Sequence, residues 1–138
     1  MRKLIAILSL LLAAGLAHAA DDSVYRAFGE KAGIQVLMKD FVVRLKADPK
    51  IGHFFKDTKS DHLVTQLTDQ LCKVSGGPCV YEGATMAESH RELEIGRADF
   101  NRLVEVLQDV MDAKGIPFST QNRMLALLAP MHRDIVTR

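Results

Sequence analysis

The sequence predicts an all-α domain, and three observations carry that reading. From Asp21 on, apolar residues recur at spacings of three and four almost throughout, and no stretch alternates with period two over a useful length. The periodic stretches end at helix-stopping residues: Gly29, Asp48-Pro49, Gly76-Gly77-Pro78, and Gly115 with Pro117. Capping residues stand ahead of several of them, in Asp21-Asp22-Ser23, Ser60-Asp61 and Ser119-Thr120.

Taken in order, the chain begins with a segment to set aside. Arg2 and Lys3 precede an apolar run from Leu4 to Leu16, and Ala17-His18-Ala19 has the small-x-small form of a cleavage site. The run is too short for a convincing membrane span. Residues 1–19 are therefore expected to be a signal peptide, leaving residues 20–138 as one domain with no stable span after cleavage. Export places the protein in the periplasm if the source is a Gram-negative bacterium.

A short helix carrying Val24, Tyr25 and Phe28 is expected to stop at Gly29, and a second to run from about Gly33 to Ala47. Ile51 to Phe55 reads as a tight helical turn. A third helix, from Ser60 or Asp61 to about Val74, places Leu63, Leu67 and Leu71 on one face, since residues four apart are neighbours on a helix. After a loop without periodicity comes about one turn bearing His90. Phe100 to Met111 then make an amphipathic helix ending at Gly115, and a last helix starts near Ser119, with Pro130 expected to bend it or thin its hydrogen bonding.

Formal net charge is +1 at pH 7, and the charges are interspersed, without the basic stripe that tracks a phosphate backbone. Nucleic acid is not an expected partner. The two cysteines, Cys72 and Cys79, lie in a chain that reads as exported, where an even count points to a disulfide. Closing so short a loop stabilises by roughly 2 to 3 kcal/mol in the chain-entropy model. The pair lacks the C-x-x-C spacing that would favour a redox motif or metal thiolates.

The chemistry centres on residues 76–95. A glycine-rich, proline-broken loop leads to one turn with Met86 before His90 and Leu93 after it, so an imidazole is presented from an apolar face. His53, His62, His90 and His132 lie beyond the leader, and no pair has the spacing of a zinc motif such as H-E-x-x-H. No nucleophile sits in a G-x-S-x-G elbow, so hydrolysis is unsupported. By itself a histidine on an apolar face is more often a satisfied core residue than a ligand.

The segments together resemble the truncated haemoglobin family, group 1, from Tyr25 to about Val136. The residues that carry the resemblance are Asp40-Phe41, Arg44, Ala47-Asp48, Phe54-Phe55, Gly76-Gly77-Pro78, Tyr81-x-Gly83, Met86 and His90, then Phe100, Leu103, Leu107 and Gly115-Ile116-Pro117. The resemblance implies a two-over-two helical sandwich around one haem b per monomeric chain. On it His90 is the proximal iron ligand, and Phe55 packs on the porphyrin. Phe41, Met86, Leu71 and Val104 are further wall residues, although for Leu71 and Val104 ordinary core packing is an equal alternative. A neutral imidazole suits iron. The absence of C-x-x-C-H argues against covalent attachment of the haem.

Departures from the family pattern shape the functional expectation. Val42 aligns with a distal position often held by tyrosine, and Leu63 and Leu67 with two positions often held by polar residues. Gln66 aligns with a position that provides a sixth ligand in some relatives. His62, about 100° round the helix from Leu63, is expected to point away, and His53 and His132 to be surface or helix-end residues. The pocket across from His90 thus reads as apolar. The leading expectation is reversible binding of a diatomic gas (O2, NO or CO), a binding role more than an enzymatic one. Nitric-oxide dioxygenation or weak peroxidase action with an external reductant is the alternative. A redox or haem sensor using the Cys72–Cys79 disulfide is a further one.

Overall fold

The computed structural model describes residues 21–138, all helix, turn and loop, with no strand among them. The signal-peptide reading of residues 1–19 lies outside the described residues. Among the described residues seven α-helices follow in order: α1 (Ser23–Ala27), α2 (Glu30–Ala47), α3 (Ser60–Val74), α4 (Met86–His90), α5 (Arg97–Ala113), α6 (Phe118–Leu128) and α7 (His132–Ile135). A 3-10 turn, Gly52–Phe55, links α2 to α3, and another, Ala129–Met131, joins α6 to α7. No helix among the described residues is long and apolar enough to cross a membrane.

Helix α2 is the hub. Ile34, Leu37, Met38, Phe41, Val42 and Leu45 are buried over a broad arc, which lets one helix pack against α3 on one side and α5 on another. Its start differs from the sequence expectation, Glu30 rather than about Gly33. Gly29, at φ 79°, turns the chain, and Gly33 N–H then donates to the Gly29 carbonyl at 3.0 Å, adding a turn. Gly33 itself is required by closeness, because a Cβ there would collide with the Phe28 carbonyl oxygen.

Asp48 ends α2 and then does more than stop it. Its Oδ1 accepts from the N–H groups of Lys50 and Ile51 at 2.9 and 3.1 Å, which shapes the turn into Gly52–Phe55. Its Oδ2 accepts from Arg102 of α5 at 2.7 Å, tying the two helices together. The Arg102 guanidinium holds the Asp48 carboxyl below its ordinary value of 3.8.

Helix α1 packs on α2 and α6, α5 on α6, and α4 on α7. The α2–α3 pair and the α5–α6 pair therefore make two layers. Of the two effects expected of Pro130, the structure shows the loss of helical hydrogen bonding. Pro130 sits in the 3-10 turn Ala129–Met131 and splits the last helix into α6 and α7, because proline has no N–H to continue the ladder. The capping expectations changed as well. Asp21 Oδ1 accepts from Ser23 N–H at 3.0 Å, and α3 begins after Lys59 without a side-chain cap.

Candidate functional site

Between the layers lies a cavity of about 660 Å³, a size that suits a cofactor. The structure brings His90, Phe55, Phe41, Met86, Leu71 and Val104 to its walls, together with Leu63, Gln66 and Leu67. Val42 is not among the lining residues. It is 1% exposed in the core, whereas Met38, Phe41 and Leu45 make the α2 side of the wall. Val42 follows Phe41 by about 100° of helix turn, and its short branched side chain does not reach round. His62 differs too: it is exposed, yet it contributes to the cavity rim. His53 is exposed and stacks on Phe54, and His132 meets the Phe100 ring edge-on at 4.8 Å.

The His90 side is organised by short-range hydrogen bonds. Thr85 caps α4 by accepting from Glu88 N–H at 3.2 Å, while the Glu88 carboxylate accepts from Thr85 N–H at 3.0 Å. Those bonds hold the Glu88 carboxyl below its ordinary range. A helix of five residues needs such a cap, because it has almost no internal ladder to stand on. His90 Nδ1 then lies 2.7 Å from the Met86 carbonyl oxygen and 2.8 Å from Ser89 Oγ. A carbonyl can only accept, so Nδ1 carries the proton. Ser89 Oγ donates to the Thr85 carbonyl at 2.9 Å and is free to accept from the same Nδ1–H. In the neutral imidazole Nε2 is then the nitrogen with a free lone pair, on a ring that lines the cavity, the arrangement in which histidine binds a metal.

The remaining walls are mostly apolar. Phe54, Phe55, Leu63, Leu67 and Leu103 pack on the core with one side while remaining half-buried around the cavity. One imidazole nitrogen set in such walls fits haem: a ligand for iron, and hydrophobic surface for a porphyrin. Its iron would be held by His90, and its ring would lie among the phenylalanines and leucines.

Two polar features were not legible beforehand. Gln70, 8% exposed, donates through Nε2 to the sulfurs of Met86 and Met131, each at 3.2 Å. Nothing in one-dimensional spacing joins residues so far apart. Gln66 Oε1 is buried without a hydrogen-bond partner. It rests against the loop before α4, where a Cβ on Gly83 would collide with it and would lie 2.5 Å from Tyr81 Oη. The Tyr81 hydroxyl donates to the Ala84 carbonyl at 2.8 Å, and burial pushes its phenol up. The Tyr81-x-Gly83 pattern was the available signal for that contact.

Two helical pairs layered over an apolar cavity, with one histidine set for metal ligation, define a globin of the short, two-over-two kind. Comparisons with known proteins agree. Residues 23–137 match the family described as bacterial-like globin. A group 1 truncated haemoglobin of Mycolicibacterium paratuberculosis is 30% identical over 115 residues, covering 83% of this chain and 85% of that protein. One from Tetrahymena pyriformis is 26% identical over 114 residues, or 83% of this chain and 94% of its own length. The crystal structure of that Tetrahymena pyriformis protein in its Fe(III) form superposes with a TM-score of 0.80, covering 83% of this chain and 98% of that one. The chain belongs to the bacterial-like globin family, among the group 1 truncated haemoglobins, and is a haem-binding globin.

Proposed function

We propose that the protein reversibly binds a diatomic gas, O2, NO or CO, at one b-type haem per chain ligated by His90. The observation that carries the reading is the placing of His90, with Nδ1 2.7 Å from the Met86 carbonyl oxygen and the ring at the cavity wall. Haem held there by His90 would supply an iron able to bind a small gas. Phe55, Phe41, Leu71 and Val104 exclude water around it, and Met86 packs beside the histidine. Leu63 and Leu67 give a gas no hydrogen bond, and Val42 stands outside the wall. A charge-assisted bond from a distal donor is worth about 1.5 to 3 kcal/mol. The lack of one at Leu63 and Leu67 corresponds to oxygen leaving about ten- to a hundredfold faster than from a pocket with a donor there, at 1.4 kcal/mol per decade. The Cys72–Cys79 bond suits an oxidising compartment, which supports export, to the periplasm in a Gram-negative source.

The test is a hemin titration of the purified protein followed by its absorbance spectrum. A saturable Soret band at one haem per chain is expected, and His90→Ala should shift or abolish it. A spectrum unchanged by His90→Ala would remove His90 as the ligand.

A further inference from the structure

Cys72 and Cys79 are bonded, with Cα atoms 5.7 Å apart. The two sulfurs sit in different surroundings. Cys72, in the last turn of α3, is 0% exposed, whereas Cys79 is half-buried. On the Cys72 side the chain is held without help from the bridge. Gly77 N–H donates to the Cys72 carbonyl at 2.8 Å, Ser75 Oγ to the Leu71 carbonyl at 2.6 Å, and Tyr25 N–H to the Ser75 carbonyl at 3.3 Å. Gly77 packs so closely that a Cβ would lie 2.7 Å from Cys72 Sγ and 2.6 Å from the Tyr25 ring.

Beyond Cys79 those ties stop. Tyr81, Glu82, Gly83 and Ala84 form part of the cavity wall, and Val80 is 69% exposed. Among the described residues, no hydrogen bond joins residues 78–84 to another element, and the Tyr81–Ala84 bond is internal to the loop. This wall is fastened by the disulfide at one end and by the Thr85–Glu88 cap at the other, with the packing of Gln66 against Gly83 between them. Immediately after the cap comes Met86, whose carbonyl orients His90.

We propose that the Cys72–Cys79 disulfide is a redox latch on the cavity. Reduction by a dithiol frees residues 79–85, loosens the cap that seats His90, and speeds loss of the haem. The inference rests on the reading of the cavity as the haem site. A thiolate of the reductant attacks Cys79 Sγ, the accessible sulfur. The S–S bond breaks, and Cys72 leaves as a thiolate that takes up a proton. The reductant's second thiol then attacks the mixed disulfide at the reductant's own sulfur, releasing Cys79 and closing the reductant's disulfide. Two electrons pass from the dithiol to the bridge. Burial makes the Cys72 thiolate a poor leaving group, so monothiols should act slowly. Opening a ring of this size enlarges the freedom of an unfolded chain by about tenfold to a hundredfold in the chain-entropy model, and a native loop still held at its far end regains a part of that.

The experiment compares haem transfer to excess apomyoglobin from the disulfide-bonded protein, the dithiothreitol-reduced protein and Cys79→Ser. Hydrogen exchange is followed in parallel on the haem-free forms. Haem should leave about tenfold faster from both opened forms, in line with the loop entropy. Exchange should quicken over residues 79–90 while α2 and α5 keep their protection. Haem loss at the same rate in bonded and opened forms overturns the latch, whatever the loop does. Exchange quickened equally in α2 and α5 overturns it too, since the bond would then be a general staple. A protein that develops no Soret band in either redox state refutes the haem reading instead, and exchange in the haem-free forms still reports whether the loop is released.

Discussion

Residues 85–90 hold the cavity's histidine through a reciprocal cap, a serine hydroxyl and a backbone carbonyl, each reaching no further than four residues along the chain. The α2 and α3 side, by contrast, presents Met38, Phe41, Leu63 and Leu67, with the carbonyl of Gln66 unpaired among them. The first region sets the direction of one nitrogen. The second sets only shape and polarity. Hydrogen bonds are directional and fix an angle, whereas apolar packing fills volume and is indifferent to which methyl does so. A ligand that needs an aimed donor atom on one side and a dry, uncommitted space elsewhere matches that division.

The largest expected effect comes from giving the apolar side a donor. Leu67→Gln should slow oxygen dissociation by about ten- to a hundredfold, measured by stopped-flow displacement with carbon monoxide. An unchanged rate would show that the gas does not meet this stretch of α3. Val42→Tyr tests the converse, because Val42 is 1% exposed and outside the wall. It should cost about 1 to 3 kcal/mol through overpacking, read from urea unfolding. A stable variant with slowed oxygen release would show that α2 can rotate this position inward.

On the histidine side, Thr85→Ala removes one half of the cap and should cost about 1 kcal/mol. The loss should appear as broadened His90 resonances and faster exchange in α4, with α2 and α5 unaffected. A uniform loss across the helices would contradict a locally built site. The smallest effect at neutral pH that still separates the regions lies behind both, at Asp48. Arg102 holds the folded carboxyl below 3.8, so its stabilisation is fully present above that value and is lost as pH falls through the lowered folded value. Asp48→Asn should therefore lower Tm at pH 7 by a few degrees and narrow its gap from the parent near pH 3. A gap independent of pH would assign the effect to packing.

Much of this was legible because it is local. Helix positions, the stops at Gly29 and Gly76-Gly77, and the presentation of His90 between Met86 and Leu93 depend on spacing and on residues near one another in sequence. Family resemblance then indicated which apolar residues would line the cavity, and all but Val42 reach it. Val42 failed because alignment assigns a position along a helix, while reach depends on side-chain length and the rotation of that helix. His62 at the rim is the same lesson with the opposite sign.

The sequence by itself determined an all-helical domain and the order of its helices, since these follow from periodicity, stop signals and short-range neighbours, and its resemblance to a family singled out His90. Only the tertiary structure decided that Asp48 would clasp Arg102, that Gln70 would bridge Met86 and Met131, and that Gln66 would rest unpaired against Gly83. Those pairings join residues from separate helices and loops, and their partners are chosen by how whole elements pack, which no spacing along the chain records.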